Sequence, residues 1–137
     1  MYKILAIVGA GDLGKQIAHY ALMDNHYSKV VFFDDFAQDF ILVENDLIGK
    51  IAEIKNSFTK GSFHEIIIAI GYKHLLFKQQ IFNEIKENIP LGKIVHSSSW
   101  VDKTATIEDG CVIYPNCTID ANVKIGKNTI LNLGCTV

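Results

Sequence analysis

The sequence predicts an α/β protein in two parts: a small Rossmann-like parallel-sheet domain over residues 1–96, then an incomplete left-handed parallel β-helix of hexapeptide repeats over residues 97–137. Three observations predict this. An apolar run, "YKILAIV", ends in the glycine turn "GAGDLG". A second run, "KVVFF", ends in an acidic pair. From Val101 onward every sixth residue is aliphatic.

The first run has strand length and no polar interruption, as expected of a strand covered on both faces. Gly9 to Gly14 match GxGxxG. Behind them Gly14, Ile17, Ala18, Ala21 and Leu22 fall on one helical face. "KVVFF" is a second buried strand, and Asp34 stands at its end, at the distance from the glycines that the motif asks of its acid. Strand, glycine turn, helix, strand and acid form the context that a dinucleotide fingerprint requires. Glycines let the backbone approach a phosphate, and the following helix start attracts the anion. Asp34 and Asp35 can accept hydrogen bonds from ribose hydroxyls or base N–H groups. The alternative for the turn is a tight bend without ligand, and for the acids a solvated loop or a helix cap.

"LIG" at 47–49 reads as a short strand, "IAEIKNSF" as a short helix and "EIIIAIG" at 65–71 as a buried strand. That strand ends in Gly71 and Tyr72, at the same sheet edge as the glycine turn if the strands are parallel. A long helix follows, with Phe77, Ile81, Ile85 and Ile89 one turn apart, stopped by Pro90 and Gly92. "KIV" gives a last short strand of this domain. One mononucleotide half fits in this length, which suits a mononucleotide or sugar nucleotide better than NAD.

Val101, Ile107, Ile113, Ile119, Ile125, Leu131 and Val137 follow a period of six. Six matches neither helix nor strand but does match hexapeptide β-helix repeats, in which three six-residue sides close a coil. Coils stack at about the inter-strand distance of ~4.8 Å. Four residues after each anchor stand Ala105, Cys111, Cys117, Val123, Thr129 and Cys135, all small or slender. The three cysteines thus share one role as small buried residues.

The chain of 137 residues has a net charge of −2 and no basic run, so no nucleic-acid surface is expected. No stretch of about 18 apolar residues occurs, so no membrane span is expected. The N-terminus lacks the features of a signal peptide. An odd number of cysteines without a CxxC pair fits a cytoplasmic setting with free thiols and no metal site.

"IVGAGDLGKQIA", "VFFDD", "IIIAIG" and the repeats from "IVHSSSW" to "LGCTV" together resemble the bacterial sugar O- and N-acyltransferases. These include the sialic acid O-acetyltransferases and the UDP-4-amino-sugar N-acetyltransferases. The resemblance covers essentially the whole chain. It implies transfer of acetyl from acetyl-CoA to an amino or hydroxyl group of a nucleotide-linked sugar, UDP-linked in type, by a homotrimer. It also implies that Gly9, Gly11 and Gly14 cradle the phosphates with Asp12 and Leu13 lining the turn, that Asp34 and Asp35 contact the nucleoside, and that Asn132 lies near the acceptor sugar. Where the family turn often reads GAGGHG, this chain has Asp12 and Leu13. The family's catalytic histidine follows a segment like "ILNLGCTV". No residue of this chain is assigned that role, and His19, His26, His64, His74 and His96 are expected to be structural or solvated. The chain is thus expected to be the N-terminal portion of such an enzyme, with about two coils, inactive alone and associating through its β-helix. A non-catalytic nucleotide-sugar-binding protein and an NAD-dependent oxidoreductase domain are the alternatives.

Overall fold

The computed structural model describes residues 2–37 and 45–137. The chain divides into two compact units, Met1–Leu91 and Gly92–Val137.

The first unit runs β1 (Ile4–Val8), α1 (Asp12–Met23), β2 (Lys29–Phe33), β3 (Asn45–Gly49), a 3-10 turn leading into α2 (Ile54–Thr59), β4 (Glu65–Ile68), a second 3-10 turn (Tyr72–His74) and α3 (Leu75–Ile85). The strands form one parallel sheet in the order β3-β2-β1-β4. Leu5, Ala6, Ile7 and Val8 of the central strand are wholly buried. Alternate residues serve opposite faces. On one face Ala6, Val8, Val31, Phe33, Ile66 and Ile68 meet Ile54, Phe63, Ile81, Ile85 and Ile89. On the other, α1 packs against β1 and β2 and buries Gly14, Ile17, Ala18 and Ala21. Each large aliphatic side chain so buried contributes about 1.5–3 kcal/mol.

Several boundaries differ from the sequence reading; the strand read at 47–49, for one, already starts at Asn45. The strand read over 65–71 ends at Ile68, leaving 69–71 as irregular chain. The helix read as far as Ile89 ends at Ile85. Ile89 precedes Pro90, whose ring disfavours helical backbone before it. Its N–H still donates to the Ile85 carbonyl at 3.0 Å, and its side chain stays in the core.

The second unit is a stack of two-residue strands: β5 (Ile94–Val95), β6 (Trp100–Val101), β7 (Thr106–Ile107), β8 (Val112–Ile113), β9 (Thr118–Ile119), β10 (Lys124–Ile125) and β11 (Ile130–Leu131). Ile94, Val112 and Ile130 stand side by side in parallel ladders, three six-residue sides apart along the chain. Trp100 pairs with Thr118 and Thr106 with Lys124 at the same spacing. Each of the three faces therefore recurs once per coil, as the period of six requires. The strand "KIV", read as the last of the first domain, pairs with β8 and belongs here; the six-residue step already starts at Val95.

Inside lie Cys111, Ile113, Cys117, Ile119 and Ile125, flanked by Val101, Ala105, Ile107, Val123, Leu131 and Cys135. All three cysteines are free thiols. Cys111 Sγ donates to the Gly126 carbonyl at 3.0 Å and Cys117 Sγ to that of Asn132 at 3.2 Å. A second six-residue series appears at the corners: Gly110, Asn116, Asn122, Asn128 and Gly134 all have positive φ, between 61° and 85°. Glycine and asparagine are the residues that tolerate this conformation best. Hydroxyls tie adjacent coils together. Ser98 Oγ accepts from the Asn116 N–H at 3.1 Å, Ser99 Oγ from that of Cys117 at 2.9 Å and Thr104 Oγ1 from that of Asn122 at 2.8 Å.

Candidate nucleotide-binding site

The site lies in the first unit, at the carboxyl end of β1, where the strand order reverses. β2 lies on one side of β1 and β4 on the other. In open α/β sheets the crevice at such a switch point, beyond the carboxyl ends of the strands, is where ligands bind. Here it is a cleft of about 450 Å3, lined by the turn after β1, the loop after β2, the end of β4 and the start of α3.

The three glycines of the turn do different work. Gly9 has φ +104° and donates to the Phe33 carbonyl at 2.8 Å; a Cβ there would lie 2.6 Å from the Ala69 carbonyl oxygen. A Cβ on Gly14 would collide with the Gly9 carbonyl oxygen. Gly9 thus permits the bend and Gly14 lets the helix close on it. Gly11 differs: a Cβ there would meet no protein atom within 4 Å. Gly11 precedes α1, which no side chain caps, so the first N–H groups of the helix can meet an anion. A Cβ on Gly71, across the cleft, would also meet nothing.

Asp34 is a brace. Its Oδ2 accepts from the Ala10 N–H at 2.7 Å, and its Oδ1 accepts from Phe36 at 2.7 Å and Ala37 at 3.0 Å. One carboxylate thereby ties the glycine turn to the loop after β2. Oδ1 of Asp35 accepts from the Ile51 N–H at 2.9 Å, fixing the start of the turn before α2.

Of the residues read from the sequence, Gly9, Gly11, Asp34, Asp35 and Gly71 line the cleft. Gly14 lies behind it, in the helix–turn contact. Asp12 and Leu13 form the first turn of α1, outside the lining, with Asp12 exposed. Tyr72 is 81% exposed and outside the lining. Asn132 belongs to the second unit, where its Oδ1 accepts from the Leu133 N–H at 2.8 Å.

Sequence reasoning missed Phe36, Ile51, His74 and Phe77, which complete the cleft. Phe36 follows the acidic pair directly. His74 and Phe77 are three residues apart on one side of the start of α3, a spacing that could have marked them. Three other histidines have structural partners. His26 Nε2 pairs with Asp24 at 2.7 Å, His64 Nδ1 accepts from the Ile4 N–H at 2.9 Å, and His96 Nδ1 accepts from the Ser98 N–H at 3.1 Å. Among the described residues no group of three His, Cys, Asp or Glu is placed to hold a metal, and no helix is long and apolar enough to cross a membrane.

A parallel half-sheet with a glycine-turn cleft, joined in sequence to hexapeptide coils, defines a two-part hexapeptide-repeat protein. The chain belongs to the family of the PglD N-terminal domain, whose description matches residues 4–85. Residues 104–137 match the bacterial transferase hexapeptide (six repeats). Among solved structures, the chain is similar to the acetyltransferase domain of PglB from Neisseria gonorrhoeae FA1090 in complex with acetyl coenzyme A. That likeness has a TM-score of 0.86 and 27% identity, over 100% of this chain and 65% of that one. PerB from Caulobacter crescentus, in complex with CoA and GDP-perosamine, gives a TM-score of 0.82 at 20% identity, over 97% of this chain and 61% of that one, a likeness of fold. The chain thus spans just under two thirds of the length of these structures. Comparison with curated proteins finds no match.

Proposed function

We propose that this chain supplies the nucleotide-binding domain and the first hexapeptide coils of an acetyl-CoA-dependent sugar acetyltransferase. Its cleft holds the nucleotide of a nucleotide-linked sugar, UDP-linked by family resemblance, and the hexapeptide coils assemble as a trimer. The observation that carries this reading is the cleft itself. Gly11 and Gly71 leave its floor open to a phosphate, an uncapped helix start faces the same turn, and Phe36, Ile51 and Phe77 offer apolar surface suited to a base. The similar structures bear on the chemistry, since one is an acetyltransferase domain with acetyl coenzyme A and another holds CoA and GDP-perosamine. The reaction is direct transfer: a base takes a proton from the acceptor, the acceptor attacks the thioester carbonyl, N–H groups stabilise the oxyanion, and the intermediate collapses with cleavage of the C–S bond, CoA leaving as a thiolate that takes up the proton. No side chain of this chain is assigned as that base.

Calorimetric titration with UDP-, GDP- and dTDP-linked sugars and with NAD tests the reading. Micromolar binding of one nucleotide-sugar without NAD binding is expected. NAD binding alone would replace the reading with an oxidoreductase.

A further inference from the structure

Three lining side chains of the cleft can carry charge: Asp34 and Asp35 from the loop after β2, and His74. Among the described residues no Lys or Arg lines it. A diphosphate entering this cleft therefore meets two carboxylates, set against backbone N–H groups and one imidazole. The uncapped start of α1 offers only about half a positive charge.

The topology puts His74 in the same cleft as the glycine turn. β4 runs alongside β1 in the same direction, so the turns after both strands leave the same edge. They touch: the Ala69 N–H donates to the Val8 carbonyl at 2.8 Å, and Gly9 lies against the Ala69 carbonyl. His74 ends the turn after β4 as the N-cap of α3, with its ring exposed. Among the described residues its ring has no partner of the kind that holds His26, His64 or His96.

We propose that His74 is the cationic partner of the diphosphate of a bound nucleotide-sugar, so that binding takes up a proton and tightens as the pH falls from 8 to 6. This rests on the nucleotide-sugar reading above. The other charged groups on the surrounding elements lie outside the lining: Asp12 and Lys15 on α1, Lys50 and Glu53 before α2, Lys55 on α2, Lys73 on the same turn as His74, and Lys78 and Glu84 on α3. Imidazole is the side-chain class that changes charge between pH 5 and 8. An anion in contact with it favours the imidazolium, and each unit by which its pKa rises on binding is worth tenfold in affinity.

The test is calorimetric titration of the whole chain with UDP-N-acetylglucosamine and GDP-mannose at pH 6, 7 and 8. These diphosphate diesters do not titrate in that range. Repeating each titration in two buffers of different ionisation enthalpy counts the proton. The expected result is about tenfold tighter binding at pH 6 than at pH 8, with net proton uptake. His74→Gln should lose both slope and uptake while keeping its far-UV spectrum. His74→Lys should bind tightly at every pH. Flat binding by the unmodified chain, or an unchanged slope in His74→Gln, overturns the assignment of His74 and leaves the nucleotide reading standing. Failure of both sugar nucleotides to bind at any pH overturns both.

Discussion

The two units reach a buried core by opposite means. In the first, one residue type does several jobs: Gly9 bends the chain, Gly11 opens the floor of the cleft and Gly14 admits the helix. In the second, two residue types do one job: Gly110, Asn116, Asn122, Asn128 and Gly134 all turn a corner in the left-handed region. A repeating unit asks the same thing of every equivalent position, so its residues are interchangeable within a class. A unit without repeats assigns each position its own task, and the candidate binding site is built there.

The largest expected effect comes from Gly14→Val. The added carbons would strike the Gly9 carbonyl, backbone that has no room to yield, at a cost of about 5 kcal/mol, enough to unfold the first unit. Gly11→Ala should change stability by less than about 0.5 kcal/mol, because its Cβ meets nothing, yet weaken nucleotide binding at least about tenfold. The probes separate the units. All three α-helices among the described residues lie in the first, so circular dichroism at 222 nm (a helix signal) follows it, whereas the single tryptophan, Trp100, follows the second. Equal shifts of both signals in Gly14→Val would mean that the units unfold as one.

Ile113→Ala removes a fully buried anchor of the coils and should cost about 3 kcal/mol, read in the urea midpoint of Trp100 fluorescence. A smaller effect is expected at a corner. Asn122→Ala should cost about 1 kcal/mol and Asn122→Gly only a few tenths, since glycine adopts positive φ freely. If Asn122→Gly were as damaging as Asn122→Ala, backbone conformation would not be what selects the corner residues. The smallest effect concerns pH. The Thr104 hydroxyl and then its N–H bond to Asp102 and hold its carboxyl below the ordinary value of 3.8, while burial opposes this. A group lowered on folding stabilises above its unfolded value and loses that contribution as the pH falls through its folded value. The coils should therefore weaken slightly more in acid than those of Asp102→Asn, measured by Trp100 fluorescence between pH 5 and pH 2.

The anchors from Val101 to Val137 and the glycine turn were legible because each leaves a pattern along the chain itself: a period of six, or a spacing within one turn. The corner series was legible in principle, but two residue types share it. β5 was read into the wrong part because a two-residue strand has no pattern of its own; only its partner in the next coil defines it. The cleft was half legible. The glycines and acids stand in a motif, whereas Phe36, Ile51, His74 and Phe77 come from separate loops and turns and meet only through the sheet order. The bracing role of Asp34 was hidden for the same reason, since its bond to Ala10 joins positions far apart in the chain.

That bond has an evolutionary consequence. The carboxylate that lines the cleft is also the one that fastens the turn beneath it, so a mutation at Asp34 alters folding and the cleft wall together. New ligand preferences at this corner have a safer route through Phe36, which lines the same space with an 89% exposed side chain. The position that can change without loosening the turn is thus the neighbour of the one that holds it.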